Sequence, residues 1–119
     1  EKDKRLINVL ERLEQDGYVL CCATNSVRHS AIVQLTRRGF IDHLEFVFTN
    51  QDVVNPKPNT EIYLRCMIKA GVSPKETIIL EDSELGRRGA KETGSRVLEI
   101  RDSADVTYVK IRKFIENVK

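Results

Sequence analysis

Three short clusters in this chain carry groups that could act together on an anion. Thr24-Asn25-Ser26 offers two hydroxyls and an amide. Lys57 sits between two prolines in Asn55-Pro56-Lys57-Pro58, and Glu81-Asp82-Ser83 places two carboxylates side by side. A hydroxyl and an amide at a helix start can hold an anion, because backbone N–H groups point outward there and the helix dipole favours negative charge. A lysine flanked by prolines stands on restricted backbone, and its ammonium is a compact charge that suits a phosphoryl oxygen. Adjacent carboxylates are costly together unless a cation lies between them. Magnesium is the natural candidate, since it takes oxygen ligands, few of them from protein. Each cluster also has a plainer use: Thr24 and Asn25 as a helix cap, Lys57 as a loop lysine, and Glu81 and Asp82 as first-turn helix charges. Ser83 reads as a cap, because no histidine stands near it in sequence, and His29 and His43 read as structural or surface residues.

The chemistry requires elements that bring the three clusters to one place. Leu6, Val9, Leu10 and Leu13 recur at helical spacing, with Gly17 as the stop. Tyr18–Ala23 is a short apolar run of the kind buried in parallel sheets. Asn25 or Ser26 is expected to cap a second helix with Ile32, Val33 and Leu35 inward and Gly39 after it. Glu45–Thr49 reads as a second strand. After a loop rich in Asn and Pro, Thr60 is expected to cap a third helix with an apolar stripe of Ile62, Leu64, Met67 and Ile68, ended by Gly71. Ser73-Pro-Lys-Glu76 is a capping box, Thr77–Leu80 a third strand, Leu85–Thr93 a helix closed by Gly94, Arg96–Ile100 a fourth strand and Thr107–Val118 a final helix. Gly86, Gly89 and Gly94 fit neither the dinucleotide nor the Walker spacing, so they read as small residues for close packing.

Strands alternating with helices imply right-handed crossovers and a mostly parallel sheet covered on both faces, an α/β three-layer sandwich. In such sheets ligands bind beyond the carboxyl ends of the strands, and all three clusters lie there. The 119 residues suit a single domain, 1–119. A net charge of +2 gives no broad footprint for nucleic acid, and no apolar run approaches a membrane span. Cys21, Cys22 and Cys66 form neither a zinc pattern nor a disulfide framework, so reduced thiols and a cytoplasmic location are expected.

Taken in order, the apolar strand ending in Thr-Asn-Ser, then Asn-Pro-Lys-Pro-x-x-x-x-Tyr, then the apolar strand followed by Glu-Asp-Ser-x-x-Gly-x-x-x-Ala-x-x-x-Gly resembles the haloacid dehalogenase-like superfamily. It looks most like the branch of β-phosphoglucomutase and small phosphosugar phosphatases, over about Leu6 to Ile100. The resemblance implies a Rossmann-like core and magnesium-dependent phosphoryl transfer on a small phosphorylated metabolite. It implies that Thr24, with Asn25 assisting, binds the transferring phosphoryl group. Lys57 would neutralise charge on nucleophile and phosphate, and Glu81 and Asp82 would hold the metal.

One part of the pattern is missing. The family's Asp-x-Asp-x-Thr motif, whose first Asp becomes the aspartyl-phosphate, occurs nowhere in the chain. In the family that motif ends a strand lying centrally, between those matching Tyr18–Ala23 and Thr77–Leu80. The helical cap domain is missing too. The expectation is that an N-terminal segment or a companion chain completes the sheet. The alternative is a non-catalytic phosphate-binding or regulatory module derived from such an enzyme.

Overall fold

The computed structural model describes residues 1–117, so the last two positions of the expected Thr107–Lys119 stretch, Val118 among them, lie outside the described residues. The element order is α1 (Lys4–Gln15), β1 (Cys22–Ala23), α2 (Arg28–Arg38), β2 (Val47–Phe48), α3 (Glu61–Ala70), β3 (Ile78–Glu81), α4 (Glu84–Glu92), β4 (Arg96–Glu99) and α5 (Tyr108–Glu116). This is the expected alternation in a single α/β layer arrangement. No described helix is long and apolar enough to cross a membrane.

The four strands form two separate parallel pairs, β1 with β2 and β3 with β4. The second pair runs in register over four residues, Ile78 against Arg96 through Glu81 against Glu99. The first pairs only Cys22 with Val47 and Ala23 with Phe48. Tyr18–Ala23 and Glu45–Thr49 were therefore expected longer than they are. Backbone bonds nevertheless extend that ladder, from Glu45 N–H to the Leu20 carbonyl and from Thr24 N–H to the Phe48 carbonyl. Among the described residues no strand pairing joins β1 to β3.

Helices cover both faces. Leu6, Val9 and Leu13 of α1 and Ile111 of α5 pack with Leu98 and Val106, against Leu20, Ile78 and Leu80. On the other face Ile62, Tyr63 and Met67 of α3 and Ala90 of α4 pack against Ala23, Phe48, Ile79 and Val97. Odd and even strand positions thus point to opposite helical layers, as the period-2 geometry of a strand requires.

Three local expectations are corrected. The buried stripe of α3 is Ile62, Tyr63, Cys66 and Met67, whereas Leu64 and Ile68 are exposed. The helix is apolar on more than one side, and its partner strands select which side is buried. Thr60 makes no capping bond; the side chain of Asn59 accepts the Glu61 N–H instead, at 2.9 Å. Neither Asn25 nor Ser26 caps α2, which starts at Arg28 after Val27. The capping box at Ser73 and Glu76 and the Ser83 cap, which accepts the Gly86 N–H at 3.0 Å, form as expected.

Candidate active site at the strand ends

Lys57 joins the two half-sheets. Its Nζ donates to the Ala23 carbonyl at 3.0 Å, at the end of β1, and to Glu81 Oε2 at 2.6 Å, at the end of β3. An ammonium has three N–H groups; two are committed here, and the third is left for the space beyond the strand ends. The lysine side chain is only 11% exposed and the Glu81 side chain 8%, so this is a buried pair. Burying one charge without the other would carry a large desolvation penalty, which ties the position of each to the other.

Tyr63, on the buried face of α3, completes the arrangement. Its hydroxyl lies within bonding reach of Glu81 Oε2 and is 3.0 Å from the Gly86 carbonyl. With one proton to give, it donates to the carboxylate, the stronger acceptor. Burial, and then the bond to Glu81, push this hydroxyl far above its ordinary titration range, so it stays protonated. Gly86 is glycine for a reason on the page: a Cβ there would stand 2.2 Å from Glu81 Oε1. At Gly89 a Cβ would stand 2.5 Å from the Pro58 carbonyl oxygen. The two glycines let α4 press against both the Glu81 carboxylate and the loop that carries Lys57, so small residues do serve packing here.

Three further bonds fix the lysine loop. Asn25 Oδ1 accepts the Lys57 backbone N–H at 3.2 Å, which is the task this residue performs in place of capping α2. The Glu61 carboxylate accepts the N–H groups of Val54 and Asn55, at 3.1 and 2.8 Å. Its bond to Arg65, with those backbone bonds, lowers the Glu61 pKa to about 2.

The remaining sequence-derived residues follow directly from this network. Thr24 comes one residue after Ala23 and is half-buried, its Oγ1 accepting the Ser26 N–H at 3.1 Å. Asp82 comes one residue after Glu81 and is exposed. The structure therefore gathers Thr24, Asn25, Lys57, Glu81 and Asp82 at one end of the layer. Lys57 bonds Glu81 rather than Asp82. The role of Tyr63 was not assigned from sequence; its place five residues after Pro58 was the available signal.

A metal ion is tested by the donors present. Among the described residues no three His, Cys, Asp or Glu side chains gather into a cluster that could hold a metal alone. One exposed carboxylate, Asp82, next to the strand end nonetheless fits magnesium, which commonly takes one or two protein carboxylates and fills its shell with water and phosphate. Glu81 stands beside it, with Oε2 engaged by Lys57 and Tyr63.

Below this site runs an apolar slot of about 520 Å³ between β1 and β3. Leu13, Leu20, Tyr63, Met67, Ile78 and Leu80 are among its walls, which come from both helical layers and from both strands. The bonds of Leu20, Cys22 and Thr24 go to β2, which turns the backbone groups of Cys21 and Ala23 toward the slot. On the other wall Thr77 and Glu81 bond toward β4, which turns Ile78 and Leu80 toward the slot. Two unpaired parallel edges face each other across it.

The model of the haloacid dehalogenase-like hydrolase family matches residues 4–100. The chain belongs to that family. A phosphorylated carbohydrates phosphatase of Thermotoga maritima is 29% identical over 85 residues, covering 71% of this chain and 39% of that protein. The crystal structure of a haloacid dehalogenase-like phosphatase from Thermococcus onnurineus superposes with a TM-score of 0.82 at 28% identity, covering 93% of this chain and 56% of that one. A candidate β-phosphoglucomutase from Thermotoga maritima shares the fold, with a TM-score of 0.80 at 22% identity over 98% of this chain and 61% of that one. The chain spans about two fifths of the length of most curated relatives it matches.

Proposed function

We propose that this chain is the metal- and phosphate-handling part of a magnesium-dependent phosphohydrolase or phosphomutase acting on a small phosphorylated metabolite, with the nucleophilic aspartate on a strand outside these residues. The observation that carries the reading is the Lys57 bridge: a buried ammonium pinned between the ends of β1 and β3, with one N–H left for an anion. Lys57 draws a phosphoryl oxygen and offsets the charge of the attacking carboxylate. Glu81 and Tyr63 hold Lys57 in position. Thr24 donates its hydroxyl to another phosphoryl oxygen, and Asn25 keeps the lysine loop against the end of β1 while offering its amide. Asp82 supplies the carboxylate for magnesium, with Glu81 beside it. When bound, the ion would offset phosphate charge and orient the transferring group.

The slot supports the second half of the reading. Its two edges both run parallel, its walls are apolar on both faces, and it opens below Lys57. An extended apolar strand running parallel to β1 and β3 would pair with both edges and bring its carboxyl end to Lys57. That is where an Asp-x-Asp-x-Thr segment would deliver its first carboxylate for a double displacement through an aspartyl-phosphate. The curated phosphatase relative named above acts, by its name, on phosphorylated carbohydrates, which favours a phosphosugar as substrate.

The test is hydrolysis of a generic aryl phosphate with magnesium, by residues 1–119 alone and with a segment bearing the missing strand and its two aspartates. The expected result is almost no turnover alone, restored turnover and higher thermal stability with the segment. Robust metal-dependent turnover by residues 1–119 alone would overturn the placement of the nucleophile.

A further inference from the structure

Cys21 and Cys66 are far apart in sequence and meet on the wall of the slot. Cys21 directly precedes β1 and is exposed; Cys66 lies on the buried face of α3. The two thiols are hydrogen-bonded to each other. Strand alternation explains why Cys21 and not its neighbour is chosen. Ala23 packs with α3 and Leu20 with the α1 and α5 layer. Cys21 therefore shares the α3 side with Ala23, and Cys22 shares the opposite side with Leu20.

We propose that Cys21 and Cys66 form a reversible disulfide when the protein meets a peroxide. The Cys21 thiolate attacks one peroxide oxygen, the O–O bond breaks, and a sulfenic acid forms as the leaving hydroxide takes a proton to become water. The Cys66 sulfur then attacks the Cys21 sulfur, the S–O bond breaks, and a second water leaves with the Cys66 proton. Two thiols are oxidised and one peroxide is reduced to two waters; a small thiol reverses the link by exchange. The two partners differ in the way such a reaction needs. The bond from Cys66 holds the Cys21 thiol below its usual range, whereas that same bond, with burial, pushes Cys66 up. The exposed, more acidic thiol attacks and the buried one resolves. Cys66 lies three positions after Tyr63, so the link would fasten the slot edge of β1 to the helix that steadies Glu81. The inference stands on this contact and does not depend on the phosphohydrolase reading.

The experiment treats the folded chain with hydrogen peroxide, blocks free thiols by alkylation and maps the tryptic peptides. Cys21 and Cys22 fall in peptide 13–28 and Cys66 in peptide 66–69, so a link joins two peptides. Fragment spectra then separate 21–66 from 22–66. A parallel sample in urea gives the ratio expected of an unfolded chain. The expected native ratio of 21–66 to 22–66 exceeds the urea ratio by more than ~10-fold, since folding places one thiol at the partner and turns the other away. The link should persist in C22S, vanish in C21S and C66S, and reverse with dithiothreitol. A native ratio equal to that in urea overturns the proposal. So does over-oxidised Cys21 beside a fully alkylated Cys66.

Discussion

The β3–β4 half and the β1–β2 half meet at the same site but are built differently. β3 and β4 pair over four residues and carry α4, whose Gly86 and Gly89 allow contact with the Glu81 carboxylate and the Pro58 carbonyl. β1 and β2 pair over two residues, and their loop rests on surface links such as the ion pair of Arg28 with Asp52. The closed half supplies the fixed charge, the Glu81 carboxylate shielded by Tyr63. The open half supplies the groups free to meet a ligand, Thr24 and Asn25. Lys57 belongs to neither half and bonds to both. The difference teaches that the charge of this site is set where packing is tightest, and its ligand contacts are left where the chain is accessible.

The strongest way to break that division is Lys57→Ala, which removes the bridge and leaves Glu81 buried without its cation. In the strand-complete enzyme turnover should fall by about 10²-fold or more, as for other lost electrostatic clamps. The same change should cost about 3–5 kcal/mol of stability, the usual range when one partner of a buried pair is removed. Steady-state kinetics and urea unfolding measure the two effects. Near-normal turnover would make this lysine a structural residue only.

A smaller effect is expected from Gly86→Ala, which pushes a methyl group at the Glu81 carboxylate in the closed half. Overpacking of this kind costs about 1–3 kcal/mol. Adding Glu81→Ala should remove most of that penalty, because the atom that clashes is gone, and a double-mutant cycle in urea reads the coupling. If the penalties of the two changes simply add, α4 does not press on Glu81.

The smallest effect belongs to Glu61, an exposed carboxylate holding the lysine loop. Its pKa lies at about 2 in the folded protein against 4.5 as a free side chain. A depressed carboxylate stabilises the fold above its unfolded pKa, and that contribution is lost as pH falls through the folded value. The stability difference between wild type and Glu61→Gln should therefore be fully present at neutral pH and shrink between about 4.5 and about 2. A difference that stays constant over that window would show that the Val54 and Asn55 amides do not depend on the charge.

Much of the site was legible along the chain. Thr24, Asn25, Lys57, Glu81 and Asp82 sit after apolar runs that alternate with helices, and parallel topology sends all such ends to one edge. What could not be read was which neighbour each would choose. Asn25 looked like a cap and instead holds the Lys57 amide. Lys57 was expected near Asp82 or an anion and pairs with Glu81. Side chains of four or more atoms reach several partners from one backbone position, so sequence order does not rank them.

The helices show the same limit in packing. α1 buries Leu6, Val9 and Leu13 as its spacing requires, since its other faces are charged. α3 offers apolar residues around much of its circumference, and its neighbours in space select Tyr63 and Cys66 over Leu64 and Ile68. Sequence alone settled the order of elements, the parallel sense of the strands and the chemistry at their ends, because these follow from local periodicity and chain connectivity. Tertiary structure alone decided the Lys57–Glu81–Tyr63 network, the contact of Cys21 with Cys66 and the slot between β1 and β3. Each of these depends on distances between segments far apart in the chain, and only packing sets those distances.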